Sequence, residues 1–344
     1  MSKKMFDFVI GNPPYQESDG GAQASAKPVY NLFVEVAKNI NPDSICMIIP
    51  ARWYAGGKGL DEFRNNMLSD IHIKNLHDFP NTGDCFPNVN IRGGVCYFLW
   101  NKDYNNKEKL VSVSTHIGDN ITTIKRSLKT ENSDIFLRYN DSLTILDKVT
   151  SNSNNEYLSK FVSSRKPFGL STDFVKTSKF YSSIDNLKYP VPCYGKNKKI
   201  GYVEYKDIPN HAEWSKKWKV FTARANNIGT ELNDDNLNAF IGKNEICTES
   251  YIVIGVELNL TELSAHNLSK YLTTKFARFC HSLAKASQDA TSKTYRFVPL
   301  QDFTSNSDID WSKSIHEIDL QLYKKYELDD KEIEFIETHV KEME

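Results

Sequence analysis

The chain has 344 residues, of which 40% are hydrophobic and 25% are charged, and its formal net charge is −1. This composition predicts an ordinary soluble protein of two domains with a sizeable core. No apolar run approaches the ~20 residues of a membrane span, and the first residues lack a secretory signal, so we expect a cytoplasmic protein without membrane contact. The balanced charge excludes a global attraction to nucleic acid, so any DNA contact must come from a local patch.

Cysteine and histidine spacing indicates neither a metal site nor a disulfide framework. The six cysteines are scattered without a C-x-x-C pair, and the eight histidines show no ligand spacing such as H-E-x-x-H. We therefore interpret the cysteines as reduced thiols and expect no bound metal.

Residues 1–100 alternate short apolar runs with helical patterns, which is typical of a mostly parallel sheet in an α/β protein. The predicted strands have the sequences FDFVIG, ICMIIP, IKNLHDF and VCYFLW. Between the first two, residues 29–40 predict a helix that packs on the sheet through an apolar face. That face comprises Val29, Leu32, Phe33, Val36, Ala37 and Ile40.

The composition changes after residue 100, where the chain becomes polar and rich in Asn, Lys and Ser up to about residue 155. One helical stretch lies near residues 143–149, and we place the domain boundary at residue 140. Residues 141–310 predict a second domain that is strand-like and turn-rich to about 255 and helical from 261 to about 286. Residues 311–344 have the apolar spacing of a pair of capping helices, which form a C-terminal tail.

The segment FDFVIGNPPYQ, residues 6–16, runs an apolar strand straight into two prolines. Two prolines after a strand can simply end it and be followed by a buried Tyr. This strand, however, is of the continuous apolar type that is buried on both faces, and ligands of such sheets bind beyond the carboxyl ends of strands. Asn12 stands at that end.

The residues after this strand suit methylation of an exocyclic amino group on a flipped nucleobase. The N6 amino group of adenine is a poor nucleophile because its lone pair is delocalised into the ring. The Asn12 side-chain oxygen and the Pro13 carbonyl can each accept one N6 hydrogen, while Pro13 and Pro14 fix the backbone that holds this carbonyl. Tyr15 supplies a stacking face for a base that has left the duplex.

The sequence GNPPY after an apolar strand resembles catalytic motif IV of the N6-adenine DNA methyltransferases. The segment SICMIIPARWY is similar to the fifth strand of that family, and CFPNVNIRGGVCYFLW resembles its motif VIII, which implies that Phe86 stacks on the opposite face of the flipped base. The segments SSRKPFGLSTDF, CTESYIVIG and YLTTKFARF resemble the target recognition domain of type IIG restriction-modification methylases, and TYRFVPLQDFT resembles their C-terminal end.

The resemblance implies an α/β fold in which a partial Rossmann-like methyltransferase sheet is followed by an α+β target recognition domain. Residues 1–140 would be the C-terminal half of the methyltransferase catalytic domain, from motif IV to motif VIII. Residues 141–310 would bind DNA, and residues 311–344 would be the helical tail.

One part of the family pattern is missing. In the related enzymes the S-adenosylmethionine loop and an acidic ribose-binding residue lie upstream of motif IV, whereas here only residues 1–11 precede it. Gly56, Gly57 and Gly59 match neither G-x-G-x-x-G nor a phosphate loop, and Gly255 falls in the expected recognition domain, so we interpret them as turn glycines. The resemblance therefore implies that S-adenosylmethionine is a co-substrate bound through another chain or domain. The motif strand would then have an open apolar edge, which a protein partner or a second copy of the chain would cover.

Basic residues interleaved with aromatic rings are the predicted contacts to double-stranded DNA. They are Arg165, Lys166, Lys216, Lys217, Lys219 and Arg224. A solvated basic surface explains the same composition equally well.

Three functions fit the sequence. The favoured one is a site-specific DNA adenine-N6 methyltransferase component of a restriction-modification system, completed by a cofactor-binding partner. The alternative is a non-catalytic DNA-recognition subunit or an anti-restriction relative. The third is a stand-alone enzyme with an unconventional cofactor site. The sequence shows no cluster of carboxylates and a lysine beside a strand, so we expect no nuclease activity in this chain.

Overall fold

The computed structural model describes residues 4–17, 27–57, 59–89, 91, 93–105, 108, 110–131, 133–154, 156–228, 237–285, 287–341 and 343. The chain divides into two compact units, Met1–Leu143 and Thr144–Glu344. This division lies close to the boundary expected at residue 140. Within the described ranges, no helix has both the length and the apolar character needed to cross a membrane.

The first unit is built on a six-stranded sheet. Its strands are β1 (Phe8–Gly11), β2 (Ser44–Pro50), β3 (Ile73–Phe79), β4 (Val95–Asn101), β5 (Leu110–Ile117) and β6 (Asn120–Ser127). They lie in the order β1-β2-β4-β3-β5-β6. Helix α1 (Tyr30–Asn39) lies between β1 and β2 in the chain, and α2 (Asp61–Ser69) between β2 and β3. The apolar runs of residues 1–100 are therefore strands, as predicted.

The sheet is mixed, so the expectation of a mostly parallel sheet is wrong. The pairs β1–β2 and β3–β5 are parallel, whereas β2–β4, β4–β3 and β5–β6 are antiparallel. Connections that contain helices join β1 to β2 and β2 to β3, but residues 80–94 return the chain directly from β3 into its neighbour β4. The carboxyl ends of β1, β2, β3 and β5 consequently meet at one edge of the sheet.

The polar stretch after residue 100 contains a hairpin that the sequence does not predict. Strand β5 buries alternate side chains, but β6 is exposed along most of its length. A strand without an apolar face has no alternation of apolar and polar residues by which the sequence could reveal it. Strand β6 is held in the sheet by its pairing with β5.

Helix α1 packs on the sheet with a different face from the expected one. Its buried residues are Tyr30, Val34 and Ala37. Leu32, Phe33 and Val36 are instead 53%, 44% and 59% exposed. The helix has two apolar stripes, and the sequence alone cannot tell which of them faces the sheet. We call Leu32, Phe33 and Val36 the outer stripe of α1.

Among the described residues, strand β1 is the outermost strand at one edge of the sheet, as expected, but it is not buried on both faces. Val9 packs against the core, whereas Phe8 and Ile10 are 69% and 82% exposed. The reason is that α1 and α2 pack on the same face of the sheet, and no described residue buries the other side of β1. We call this second face the open face. The apolar side chains of this face from β1, β2 and β4 are Phe8, Ile10, Cys46, Ile48, Tyr97 and Leu99, and Ser44 and Asn101 lie on the same face.

The second unit combines two small sheets with helices. Its strands are β7 (Pro190–Tyr194), β8 (Ile200–Glu204), β9 (Lys219–Ala223), β10 (Phe240–Gly242), β11 (Ile246–Cys247) and β12 (Tyr251–Ile254). They form the sheets β10-β9-β12 and β11-β7-β8. Its helices are α3 (Ser142–Asn152), which starts at the boundary, α4 (Glu262–Thr273), α5 (Lys275–Ser282), α6 (Ile315–Lys325) and α7 (Asp330–His339).

The C-terminal helices are part of the core of the second unit. Ile318 of α6 and Ile336 of α7 are fully buried, and Tyr326 stacks on Phe276 of α5 with ring centroids 4.8 Å apart. Residues 311–344 form the expected pair of helices, but they pack into this core and do not form a separate tail.

Candidate active site

The segment 12–15 lies where the parallel strands β1 and β2 end. Gly11 is the last residue of β1 and pairs with Met47 of β2. Asn12 follows immediately and is exposed, while Pro13 is buried. The motif is thus at the carboxyl edge of the sheet with its amide side chain accessible, which is the position that the sequence predicts.

Tyr15 is fixed by its backbone at the start of α1. Its carbonyl accepts a hydrogen bond from the Val29 amide at 3.2 Å, and the next residue, Gln16, bridges to Pro28. Its hydroxyl is buried, with no hydrogen-bond partner among the described residues. Burial raises the pKa of this hydroxyl to about 12.

Phe86 lies in a short loop that is ordered by Thr82. The Phe86 amide donates to the Thr82 carbonyl at 2.7 Å, and the Thr82 hydroxyl donates to the Ile91 carbonyl at 2.9 Å. Phe86 is half-buried. Its neighbour Cys85 is close enough to Tyr15 to affect the pKa of the Tyr15 hydroxyl electrostatically. The loop of Phe86 and the residues after β1 therefore lie in the same region.

A buried network of Tyr54, Asp78 and Arg138 contacts the end of this loop. The Asp78 carboxylate, fully buried in β3, accepts a hydrogen bond from the Tyr54 hydroxyl at 2.9 Å. The Nε of Arg138 lies 2.8 Å from the other carboxylate oxygen, and this side chain also donates to the Gly93 carbonyl. Sequence reasoning missed this network, because its members are far apart in the chain and match no motif.

Gly94 is required where the loop rejoins the sheet. Its φ is +76°, and a Cβ here would lie 2.1 Å from the Phe79 carbonyl oxygen and 2.6 Å from that of Pro80. The Gly94 carbonyl also accepts a hydrogen bond from the Ala51 amide at 3.0 Å. Only glycine allows this close approach, so the path of the loop is set by the backbone at the ends of β2 and β3.

Tyr97 is a further aromatic residue near the site that sequence reasoning missed. It lies on the open face and stacks on His77, with ring centroids 4.4 Å apart and planes at 10°. The His77 ring nitrogen lies 3.0 Å from that of His116. Burial lowers the pKa of both histidines, so this part of the face is uncharged at neutral pH. The alternation of β4 would have placed Tyr97 on this face.

The glycines after β2 form a turn whose amide is already engaged within the chain. Gly56, Gly57 and Gly59 all have φ between +72° and +82°. The Gly57 amide donates to the Asp61 carboxylate at 3.3 Å, and a Cβ at Gly56 would collide with Arg64 and Asp61. Among the described residues, no three His, Cys, Asp or Glu side chains gather into a metal site.

The predicted DNA contacts fall into two groups at opposite ends of β9. Lys216 and Lys217 are exposed just before this strand. Lys219, its first residue, is fully buried, and its ammonium donates to the carbonyls of Ser215 and Lys217 at 3.0 and 2.9 Å. Burial lowers the pKa of Lys219 to about 8. Lys219 therefore has no accessible surface with which to contact a phosphate.

The other group gathers around Glu249. The Nε of Arg165 lies 2.7 Å from the Glu249 carboxylate, and Nζ of Lys166 lies 4.0 Å from it. Arg224 donates to the Glu249 carbonyl at 2.9 Å and pairs with Asp289. The side chains of Arg165 and Lys166 are 63% and 45% exposed, so they remain accessible while one carboxylate positions them.

The sequence of the first unit resembles a methylase family. Residues 1–86 match the family model of the Eco57I restriction-modification methylase. A stretch of 105 residues is 38% identical to a Mycoplasma pneumoniae protein described as an uncharacterized adenine-specific methylase; it covers 30% of this chain and 25% of that protein. The predicted resemblance to restriction-modification methylases is therefore confirmed.

Two solved structures resemble the chain over nearly its whole length. The type IIG restriction endonuclease BpuSI aligns with 97% of this chain at 13% identity and a TM-score of 0.37. The type IIL restriction-modification enzyme MmeI, solved in complex with DNA, aligns with 96% at 10% identity and a TM-score of 0.49. The chain spans 53% and 56% of these proteins, and its match spans a quarter of the Mycoplasma protein.

Proposed function

We propose that this chain is the catalytic and target-recognition component of a site-specific DNA adenine-N6 methyltransferase of a restriction-modification system. The observation that carries the proposal is the position of Asn12, exposed at the carboxyl end of β1 in a segment that matches the methylase family. S-adenosylmethionine supplies the methyl group in such a reaction, and double-stranded DNA is the substrate.

The proposed chemistry of the site is the activation of an amino group. The Asn12 side-chain oxygen and the Pro13 carbonyl each accept one hydrogen from adenine N6, which draws the nitrogen toward tetrahedral geometry and frees its lone pair for the methyl carbon. The buried Pro13 holds its carbonyl without reorganisation. The new bond from N6 to the methyl carbon would form as the sulfur–methyl bond of S-adenosylmethionine breaks, which would release S-adenosylhomocysteine, and the proton that N6 loses would pass to solvent.

The proposed base pocket has an aromatic wall on each side. Tyr15 and the loop of Phe86 lie in the same region, and both side chains are partly accessible. A base that leaves the duplex loses stacking worth a few kcal/mol, and aromatic partners offset part of this loss. The network of Asp78 and Arg138 holds the base of the loop, so it acts on the pocket only by positioning.

We further propose that the cofactor is held outside the described residues of this chain. The Gly57 amide in the turn after β2 is already engaged by Asp61, and among the described residues the outer edge of β1 pairs with no strand.

Two groups of basic residues in the second unit are the proposed contacts to DNA phosphates. One group comprises Arg165, Lys166 and Arg224, and the other comprises Lys216 and Lys217.

The test is methyl transfer to duplex DNA, measured for the chain alone and for the chain together with a separately produced polypeptide that binds S-adenosylmethionine. We expect tritium from labelled S-adenosylmethionine in duplex DNA, and N6-methyladenine in its hydrolysate. A complex that binds DNA tightly but transfers no methyl group to any duplex would favour the non-catalytic alternative. Methyl transfer by the purified chain alone would favour a stand-alone enzyme.

A further inference from the structure

We propose that the start of β9 presents three lysines, Lys216, Lys217 and Lys243, to the phosphates of duplex DNA, and that the buried Lys219 is the residue that positions them. Lys243 lies just after β10 and is not among the basic residues that the sequence predicts as DNA contacts. The inference rests on the proposed function, because it concerns how the second unit holds its DNA. It adds one contact residue and one positioning residue.

The ammonium of Lys219 holds the loop that precedes β9. It donates to the carbonyls of Ser215 and Lys217 at 3.0 and 2.9 Å, and the residue is 0% exposed. Its Nζ also lies 5.3 Å from the centroid of the Phe221 ring. Two carbonyls of the loop therefore converge on one charged donor, and such hydrogen bonds are roughly twice as strong as neutral ones.

Burial of this ammonium indicates a role other than stability. Removing an ammonium from water carries a cost that an apolar side chain at the first position of β9 would avoid. Lys219 has no accessible surface of its own, so it can affect a ligand only through the loop that it holds.

Backbone hydrogen bonds connect this loop to the turn after β10. The Ser215 carbonyl accepts a second hydrogen bond, from the Asn244 amide at 2.6 Å. Within the loop, the Lys217 amide donates to the Trp214 carbonyl at 3.2 Å. The loop before β9 and the turn after β10 are therefore joined at Ser215, so the lysines on both segments belong to one surface.

Two of the three lysines lie on aromatic rings. The Nζ of Lys243 is 5.5 Å from the centroid of the Trp218 ring, and that of Lys216 is 5.4 Å from the centroid of Tyr205. A ring face attracts an ammonium without neutralising its charge. Both ammonium groups are thus placed by the protein and keep their charge for an anion.

The three lysines differ from Arg165 and Arg224, which each pair with a carboxylate. Among the described residues, no ion pair joins Lys216, Lys217 or Lys243 to a carboxylate. All three are exposed. Exposed cations that the protein leaves unpaired can release counterions from a DNA backbone when they bind its phosphates.

The contact is tested by the affinity of the full chain for labelled duplex DNA, measured by fluorescence anisotropy at several salt concentrations. The variant Lys216→Ala/Lys217→Ala/Lys243→Ala should reduce the slope of log affinity against log salt concentration by about 2.7, at about 0.9 for each phosphate contact. The control removes the same charge from three exposed lysines elsewhere in the second unit and should leave the slope nearly unchanged. Its substitutions are Lys176→Ala, Lys293→Ala and Lys313→Ala.

The positioning role is tested with Lys219→Met, which removes the buried donor and no exposed charge. It should weaken duplex binding roughly threefold to tenfold, because the loop must then be ordered when DNA binds, while the salt slope stays nearly the same. The triple alanine substitution should cost less affinity in Lys219→Met than in the unchanged chain, since both changes act through the same lysines. A purely structural role of Lys219 would not produce this coupling.

Hydrogen exchange of the free protein checks the loop directly. The amides of Lys217 and Asn244 should exchange faster in Lys219→Met than in the unchanged chain. Lys219→Gln keeps an N–H donor and should retain more protection and more affinity. Circular dichroism checks folding, and Lys219→Gln enters the same comparisons if Lys219→Met does not fold.

Three results would overturn the inference. They are a triple alanine variant with the slope of the unchanged chain, a Lys219 variant with unchanged affinity and unchanged exchange, and losses of affinity that simply add.

Failure of the proposed function is separable from failure of this inference. DNA binding with the expected coupling but without methyl transfer would leave the lysine surface standing and reject the methyltransferase. Methyl transfer together with DNA binding that none of these variants changes would do the reverse.

Discussion

Each group at the proposed site has a definite physical task. Asn12 is exposed and can turn its amide oxygen toward a base, whereas Pro13 is buried and cannot move its carbonyl. Tyr15 is anchored by its backbone, so its ring is placed before any base arrives. The sequence predicts these roles from chemistry that is local in the chain. It cannot predict the support of Gly93 by Arg138, because that contact depends on how distant segments pack.

Asn12→Ala should lower the rate of methyl transfer by the complete enzyme about 10²–10³-fold and leave DNA binding nearly unchanged. The lost hydrogen bond acts mainly on the transition state, like a donor of an oxyanion hole. The rate is measured as single-turnover transfer of labelled methyl groups. The control is Asn66→Ala, an exposed amide on α2. Full activity of the Asn12 variant would reject the assigned chemistry.

Phe86→Ala and Tyr15→Ala should each reduce the fluorescence rise of a 2-aminopurine placed at the target position when the complete enzyme binds. Each change removes one stacking wall, worth about 1–3 kcal/mol per base. Tyr15→Phe keeps the ring and should behave like the unchanged protein. If the fluorescence of the Phe86→Ala complex is unaltered, the base is not held against that residue.

Asp78→Asn should lower the free energy of unfolding of the first unit by about 3 kcal/mol, because it leaves the largely buried Arg138, 18% exposed, without its counter-charge. Urea unfolding measures the change, and a double-mutant cycle with Arg138→Met isolates the pair. Asp7→Asn is the matched control, since the Asp7–Lys4 pair is exposed to solvent and should contribute little to stability. Equal effects of the two substitutions would contradict a buried ionic support.

At the scale of helices and strands, the sequence predicts those elements whose apolar residues recur at regular short spacing. Strands β1 to β4 follow from apolar runs, and the helices after residue 261 follow from apolar spacing. The phase of α1 does not follow, because both of its stripes are apolar and only the neighbouring strands decide between them. The antiparallel place of β4 depends on the direct return of residues 80–94, and the exposed β6 has no pattern to detect.

The carboxylate of Asp319 caps α5 and should make the stability of the second unit depend on pH. It accepts hydrogen bonds from the amides of Lys275 and Phe276 at 3.0 and 2.9 Å. Burial raises its pKa to about 6 from 3.8, so the folded state binds more protons between these pH values. The free energy of unfolding should therefore fall as pH rises from about 4 to 6, by up to about 3 kcal/mol.

Asp319→Asn should remove this dependence, because an amide does not titrate. Urea unfolding at pH 4.5 and 7 measures the difference between variant and parent. Asp302→Asn is the control, as Asp302 is exposed. A variant with the same pH profile as the parent would show that Asp319 does not titrate in this window.

At the scale of the whole molecule, composition does not show which charged residues are accessible on the surface. A net charge of −1 predicts no general affinity for DNA, and basic residues that are near in sequence are separated by the fold. Arg165 and Arg224 are 59 positions apart in the chain (224 − 165), yet both contact Glu249. Lys219 lies close to Lys217 in the chain and is buried. Burial of a lysine cannot be seen in a charge count.

Arg165→Ala should weaken DNA binding and reduce the slope of log affinity against log salt concentration by about 0.9, the value for one phosphate contact. Fluorescence anisotropy of labelled DNA at several salt concentrations measures both the affinity and the slope. Lys176→Ala is the control, because Lys176 is exposed and pairs only with the nearby Asp173. An unchanged slope in the Arg165 variant would remove this group from the DNA surface.

The exposed strand at the edge of the first unit also has a consequence for how concentrated the chain can be kept. Phe8 and Ile10 of β1 are exposed, and among the described residues the outer edge of this strand pairs with no other strand. Such an edge can pair with the same edge of another copy, so losses of the chain to aggregates should grow with its concentration.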